Sequence, residues 1–355
     1  MKKIGFVLLI GVVAGLTSVF LMDHDGGRVA ADATSVGAAG EPTTFTSVAQ
    51  IRDYYQRKMF ASVKEYLSAD EEPSDAAEGY QWAMQTTLEL GCFDLGGPLA
   101  IKYLKRHGES GPLNVVIGAD LVAGIALAQQ GDYEGAQKVF EGHLARNNAQ
   151  LASVGMSFAD MLAVEFGIGR KPEVATAVYE KLLAAYGTSP FVRDRVESRI
   201  QRLELLGKPA PRIAANDRDG KWVNLDDYKG KVVFVDFWAT WCGPCLEELP
   251  NVKAAYEAYH DKGLEIIGVN LDDSVRALDA FLEQEPLPWR TVFGAEAAEG
   301  PIDERYVTGG TIPATYLIDK EGNVVAVDVR GTRVHSAVRQ LLGIEEARVE
   351  TKAVR

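Results

Sequence analysis

What most limits the fold of this chain is a change of hydrophobic period at residues 207–213, "GKPAPRI". From about Phe45 to Leu206, apolar residues return every three or four positions, as in "VIGADLVAGIALAQQ" and "AQKVFEGHL". That repeat aligns one face of an α-helix. Beyond the junction, continuous apolar runs such as "KVVFVDFWA" and "LEIIGVNLD" suit strands covered on both faces. They alternate with helical stretches, "VKAAYEAYHDKG", "SVRALDAFLEQ" and "HSAVRQLLG". Gly207 suits a helix cap, and the two prolines stop the helix from continuing. The pattern predicts an all-helical domain over 45–206 and an α/β domain over 207–345. The second should hold a parallel strand pair and an antiparallel hairpin turning at Glu321-Gly322-Asn323. Residues 346–355 read as a solvated tail.

The start of the chain points to export. Lys2 and Lys3 precede an uncharged apolar run over 4–22, close to the ~20 residues of a membrane-spanning helix. The lysines should stay cytoplasmic and the remainder should face outward. A cleaved signal peptide is the alternative. Its apolar region is shorter, ~7–15 residues, and Ala31-Asp32-Ala33 lies well beyond the run. Residues 23–44 are small, polar and aperiodic, as in a flexible tether. A net charge of −13 argues against a nucleic-acid partner, because phosphate binding wants a basic surface.

Within the helical part a pattern recurs. Gly124 stands twelve residues before Ala136, with Phe140 four later; Ala163, Ala175 and Tyr179 repeat the spacing, and Leu88, Ala100 and Leu104 repeat it loosely. This is similar to tetratricopeptide repeats, most clearly in "GDYEGAQKVFEGHL", although the period drifts and the first unit lacks the small residue. A generic helical bundle is the other reading. The resemblance implies stacked hairpins that dock a protein partner.

The chain has three cysteines: Cys92, Cys242 and Cys245. A structural zinc site needs four ligands. Cys92 lies in the other domain, and His24, His107, His143, His260 and His335 are scattered. Nor is "WCGPC" a staple, since a disulfide stabilises by closing a long loop. A C-x-x-C is suited instead to switching between dithiol and disulfide. Here it follows a buried strand and opens a helix. Cys242 therefore meets the unpaired N–H groups and positive end of the helix dipole, which lower a thiol pKa. Cys242 reads as the attacking sulfur, and Cys245, one turn on, as the resolving thiol. Gly243 and Pro244 set the turn and tune the redox poise. Trp241 is placed to cover the sulfur pair, whereas Trp238 reads equally as a packed aromatic. Cys92, in "ELGCFDLGG", reads as a buried inert thiol.

"VDFWATWCGPC" resembles thioredoxin, and Pro250 matches that family's helix proline, expected to kink the helix. Glu248 in "CGPCLEELP", with the long segment before "TIPATYLID", resembles the exported, membrane-anchored TlpA/ResA-type branch. The resemblance implies an α/β thioredoxin-like fold and thiol-disulfide oxidoreductase activity. It implies that Asp236 is the buried acid beneath the disulfide, relaying protons for Cys245, and burial should raise its pKa. Glu248, on the same helix face as Cys245, would share that task or be a solvated helix charge. Pro313 matches the cis-proline facing the cysteines, leaving the backbone of Ile312 to pair with an incoming peptide. Gly268 stands where thioredoxins proper carry a lysine, so the proton route is expected to lean on Glu248. No cofactor beyond the Cys242–Cys245 disulfide is implied. The implied partners are disulfides of other exported proteins and a membrane thiol-disulfide carrier as electron donor. A disulfide-forming oxidase and a binding scaffold with a vestigial thioredoxin unit remain as alternatives. A peroxidase is disfavoured, because Val235 and Ala239 stand where the peroxiredoxin signature has proline and threonine. Removing 45–206 is expected to leave reduction of a generic disulfide largely intact but to weaken action on the natural partner.

Overall fold

The computed structural model describes residues 48–69, 73–108, 110–146, 151–293, 302–306 and 311–344. The candidate anchor over 4–22, the tether and the tail lie outside these. Among the described residues no helix is long and apolar enough to cross a membrane. The chain divides into two compact units, Met1–Arg52 and Asp53–Arg355. Of the first, only the opening residues of helix α1 (Val48–Leu67) are described. The rest of α1 and all other described elements belong to the second.

Seven further helices precede the sheet: α2 (Ala76–Leu90), α3 (Phe93–His107), α4 (Leu113–Gln129), α5 (Tyr133–Ala145), α6 (Ala152–Ile168), α7 (Pro172–Tyr186) and α8 (Pro190–Leu203). Sequence neighbours from α2 to α8 pack on one another. α4 and α6 are apolar almost all round and are buried over most of their length, as helices enclosed by others must be. The recurring small and aromatic residues, Ala100, Ala136, Phe140, Ala163, Ala175 and Tyr179, are all buried.

The α/β part opens with a short hairpin of β1 (Ala214–Asn216) and β2 (Trp222–Asn224). β3 (Val232–Trp238) leads into α9 (Gly243–Tyr259), β4 (Leu264–Asn270), α10 (Val275–Gln284) and β5 (Arg290–Phe293). Then come α11 (Ile302–Tyr306), β6 (Ala314–Ile318), β7 (Val324–Val327) and α12 (Thr332–Leu342). The five-stranded sheet has the order β5-β4-β3-β6-β7. β3 pairs parallel with β4 and β4 with β5, while β6 runs antiparallel to both β3 and β7. All seven residues of β3 are buried, as a central strand requires. α9 runs as one span through Pro250.

The junction is not a free hinge. Gly207 N–H donates to the Val324 carbonyl (2.8 Å), Val324 N–H to the Lys208 carbonyl (2.9 Å) and Ala210 N–H to the Gly322 carbonyl (2.9 Å). Residues 207–210 thus lie along the outer edge of β7. Beside them α6 meets the sheet closely: a Cβ on Gly167 would stand 2.3 Å from the Val325 carbonyl oxygen. Buried Glu165 of α6 pairs with buried Arg333 of α12. One apolar core joins Phe166, Leu203 and Leu206 to Val233, Val235, Phe237, Ile318 and Val327.

This continuity gives a physical reason to expect each part to depend on the other. A chain lacking 45–206 would strip apolar partners from one face of the sheet and remove both the carboxylate of Glu165 and the Phe93 ring from Arg333. Such a fragment is expected to bind a hydrophobic dye and to unfold at a clearly lower denaturant concentration than the full chain. Equal midpoints in urea would show that the two parts are independent after all.

Candidate active site

Alternation along β3 fixes the floor of the site. Val232 and Phe234 face the cluster containing Leu249, Val252 and Ala255 of α9. Asp236 and Trp238 share that face. Trp238 packs with Cys242, Cys245, Leu278 and Phe293, its ring 5.2 Å from that of Phe281. Asp236 therefore lies beneath the start of α9.

Cys242 is the N-cap of α9, and its sulfur accepts a hydrogen bond from Cys245 N–H at 3.3 Å. Pro244 sits in the first turn, where its missing N–H costs nothing. Cys242 and Cys245 form a disulfide, their Cα atoms 5.2 Å apart. Both are buried, whereas Gly243 and Pro244 are exposed and Trp241 is 65% exposed. Trp238 is thus packed among the residues around the cysteines, and Trp241 lies at the surface. The Ile312–Pro313 bond is cis, and half-buried Ile312 packs against the cluster that holds both cysteines. Cys92 is buried at the start of α3, in the helical part.

Burial pushes the Asp236 carboxyl up to about 7; Arg330 opposes this, and the Glu248 charge adds to it. That value lets a carboxylate accept a proton near neutral pH and give it up again. Glu248 is half-buried. Its carboxylate accepts from Gly331 N–H at 2.7 Å and from the Asn251 side-chain amide at 3.3 Å. It is therefore fixed between α9 and the start of α12 rather than loose in solvent.

Asp236 stands in register with Gly268 of β4. No side chain fits there easily: a Cβ on Gly268 would lie 3.0 Å from Thr291 Oγ1 and 3.3 Å from the indole nitrogens of both Trp238 and Trp289. Besides Glu248, a second charge acts on Asp236. Arg330, after β7, brings a cation whose field reaches the carboxyl from another direction. No local spacing in "VDVRGTRV" marks it.

Residues 206–327 match the AhpC/TSA family. The thiol-disulfide oxidoreductase ResA of Bacillus cereus is 35% identical over 147 residues, covering 41% of this chain and 80% of that protein. The chain belongs to the ResA family of thiol-disulfide oxidoreductases. ResA of Bacillus subtilis is 34% identical over 138 residues, 39% of this chain and 74% of that one. Among solved structures, the thioredoxin domain of a thiol-disulfide oxidoreductase from Bacteroides vulgatus is 33% identical, covering 38% of this chain and 96% of that chain, with a TM-score of 0.35. Membership of the ResA family makes this protein a thiol-disulfide oxidoreductase with a thioredoxin-like α/β domain. Most of its length lies outside the match to ResA, and the helices before the sheet are a large part of that remainder.

Proposed function

We propose that the protein reduces disulfides of other exported proteins on the outer side of the cytoplasmic membrane, held there by residues 4–22. The observation that carries this reading is Cys242 at the positive end of α9, with Asp236 on the strand beneath it. In the reduced protein, the Cys242 thiolate attacks one sulfur of a substrate disulfide. A mixed disulfide forms, and the other substrate sulfur leaves as a thiolate that takes a proton from water. Cys245 then gives its proton to the Asp236 carboxylate and attacks the Cys242 sulfur. The second substrate sulfur departs as a thiolate and takes the proton held by Asp236, and the Cys242–Cys245 disulfide closes. Two electrons have moved to the substrate, and a thiol reductant must return them. We assign that role to a membrane-bound dithiol carrier.

Trp241, Gly243 and Pro244 form the exposed approach to the sulfurs, and Ile312 offers its backbone beside them. The redox-active disulfide is the whole of the redox centre in this reading. The helical part is read as tetratricopeptide-like, presenting a protein partner. The test is the reduction potential of the Cys242–Cys245 pair, equilibrated against glutathione or dithiothreitol and followed by tryptophan fluorescence. A value near about −270 mV is expected for a reductant, whereas one near about −120 mV would make the protein a disulfide donor.

A further inference from the structure

The strongest link between the helical part and the chemistry is a buried arginine on α8. Arg202 is 2% exposed. One of its terminal nitrogens donates to Asp328 Oδ1 at 2.7 Å, and the other donates to both the carbonyl and the hydroxyl of Thr311, each at 2.5 Å. Ser198, one turn earlier, shares the Thr311 hydroxyl at 3.0 Å. Arg330 completes the arrangement from the other side. It donates to the Pro313 carbonyl and, at 3.2 Å, to the same Asp328 oxygen. Asp328 is itself buried at the end of β7, with a positive φ of 55°.

The carbonyls of Thr311 and Pro313, which flank Ile312, are therefore each gripped by a guanidinium, and one carboxylate serves both. Charge-assisted bonds of this kind are short and directional. The planar fork of arginine holds two acceptors at fixed angles, which a lysine cannot do.

We propose that Arg202 is a positioning residue for the substrate-binding loop: through it the helical part sets where Ile312 presents its backbone to an incoming peptide. The inference rests on the reductase reading above, and it gives the helices a second task besides docking a partner. A peptide disulfide needs the loop, whereas a small aromatic disulfide needs only the Cys242 sulfur. Loss of the grip should therefore separate the two substrates.

The experiment compares the full-length protein with Arg202→Ala, Arg202→Lys and Arg199→Ala. Arg199 grips Asp160 within the helical part, at 2.8 Å through one nitrogen, and acts on Asp328 through its charge alone, so its variant reports loosening of α8 and loss of a nearby charge without loss of the fork on Thr311. Oxidised insulin and a small aromatic disulfide serve as substrates, with dithiothreitol as reductant. Amide hydrogen exchange of residues 311–315 is followed in parallel. For Arg202→Ala the expected result is a rise of about tenfold or more in KM for insulin, the order expected when a reacting group is misplaced. The rate with the small disulfide and the potential of the cysteine pair should stay unchanged, and exchange across 311–315 should quicken. Arg202→Lys should follow Arg202→Ala, because charge without the fork does not hold Thr311. Arg199→Ala should leave the insulin KM as in the parent.

Unchanged exchange in both Arg202 variants would overturn the proposal, and so would an equal loss on both substrates. So would Arg202→Lys behaving as the parent, because charge alone would then suffice. A parent protein that reduces neither substrate would sink the reductase reading instead. The exchange data would still decide whether Arg202 holds the loop.

Discussion

Replacing Cys245 with alanine is expected to leave a protein that attacks a disulfide once and then stops. Cys242 keeps its place as N-cap of α9, so its thiolate still forms the mixed disulfide. Nothing on the enzyme can then resolve it, because that step needs a second sulfur one turn along the helix. Turnover of a peptide disulfide should fall by roughly a thousandfold or more, as expected when a nucleophile is removed from a two-step exchange. A covalent enzyme–substrate adduct should accumulate on a non-reducing gel and show the summed mass. Cys242→Ala should show neither turnover nor adduct. An adduct in Cys242→Ala and none in Cys245→Ala would reverse the assignment of the two sulfurs.

Asp236→Asn should make the oxidised protein more stable at alkaline pH and, in the catalytic cycle, slower. The sign follows from the carboxyl's displacement, from 3.8 to about 7 in the folded state. Between those values the folded chain holds a proton that the unfolded chain has released. Stability must therefore fall as pH rises through that window. Above pH 7 the native state carries a buried carboxylate, at a cost of up to about 4 kcal/mol. Asparagine removes the charge and so the cost. Urea denaturation at pH 5 and pH 8 checks this: the parent should lose stability between them at this site, and the variant should not. If the two proteins show the same pH dependence, Asp236 titrates normally and cannot be the proton acceptor. In the same variant, resolution of the mixed disulfide should slow by about a hundredfold at pH 7, the lower range for a positioned base. The deficit should shrink as pH rises, because hydroxide then competes with Asp236 as the proton acceptor.

The elements that could be read from the sequence are those with local causes. A 3.6-residue period gives α2 to α8, a continuous apolar run gives β3, and a thiol after a buried strand gives the N-cap position of Cys242. Three-residue strands such as β1 and β2 carry too little pattern to be read. β5 and α11 are nearly as short and lie among polar residues. The charges around the site were invisible for a different reason. Arg202 meets Asp328 across 126 positions and Thr311 across 109, and no spacing rule spans such distances. The glycine opposite Asp236 was legible by resemblance. That Arg330 supplies a cation by another route depends on how β7 turns into α12. The same holds for the shared core: each half shows an apolar face, but only the fold shows that the faces meet.

The segment over 207–210 has one more consequence. β7 is the last strand of the sheet, and its sequence, Val324-Val325-Ala326-Val327, is wholly apolar. A bare edge of that composition is a template for another chain's backbone. Here the start of that edge, at Val324, is already paired with the molecule's own junction. A chain cut to begin at residue 211 would lose this guard and offer its edge to a second copy, giving concentration-dependent self-association. The short stretch between the helices and the sheet thus helps keep this edge from pairing with another chain.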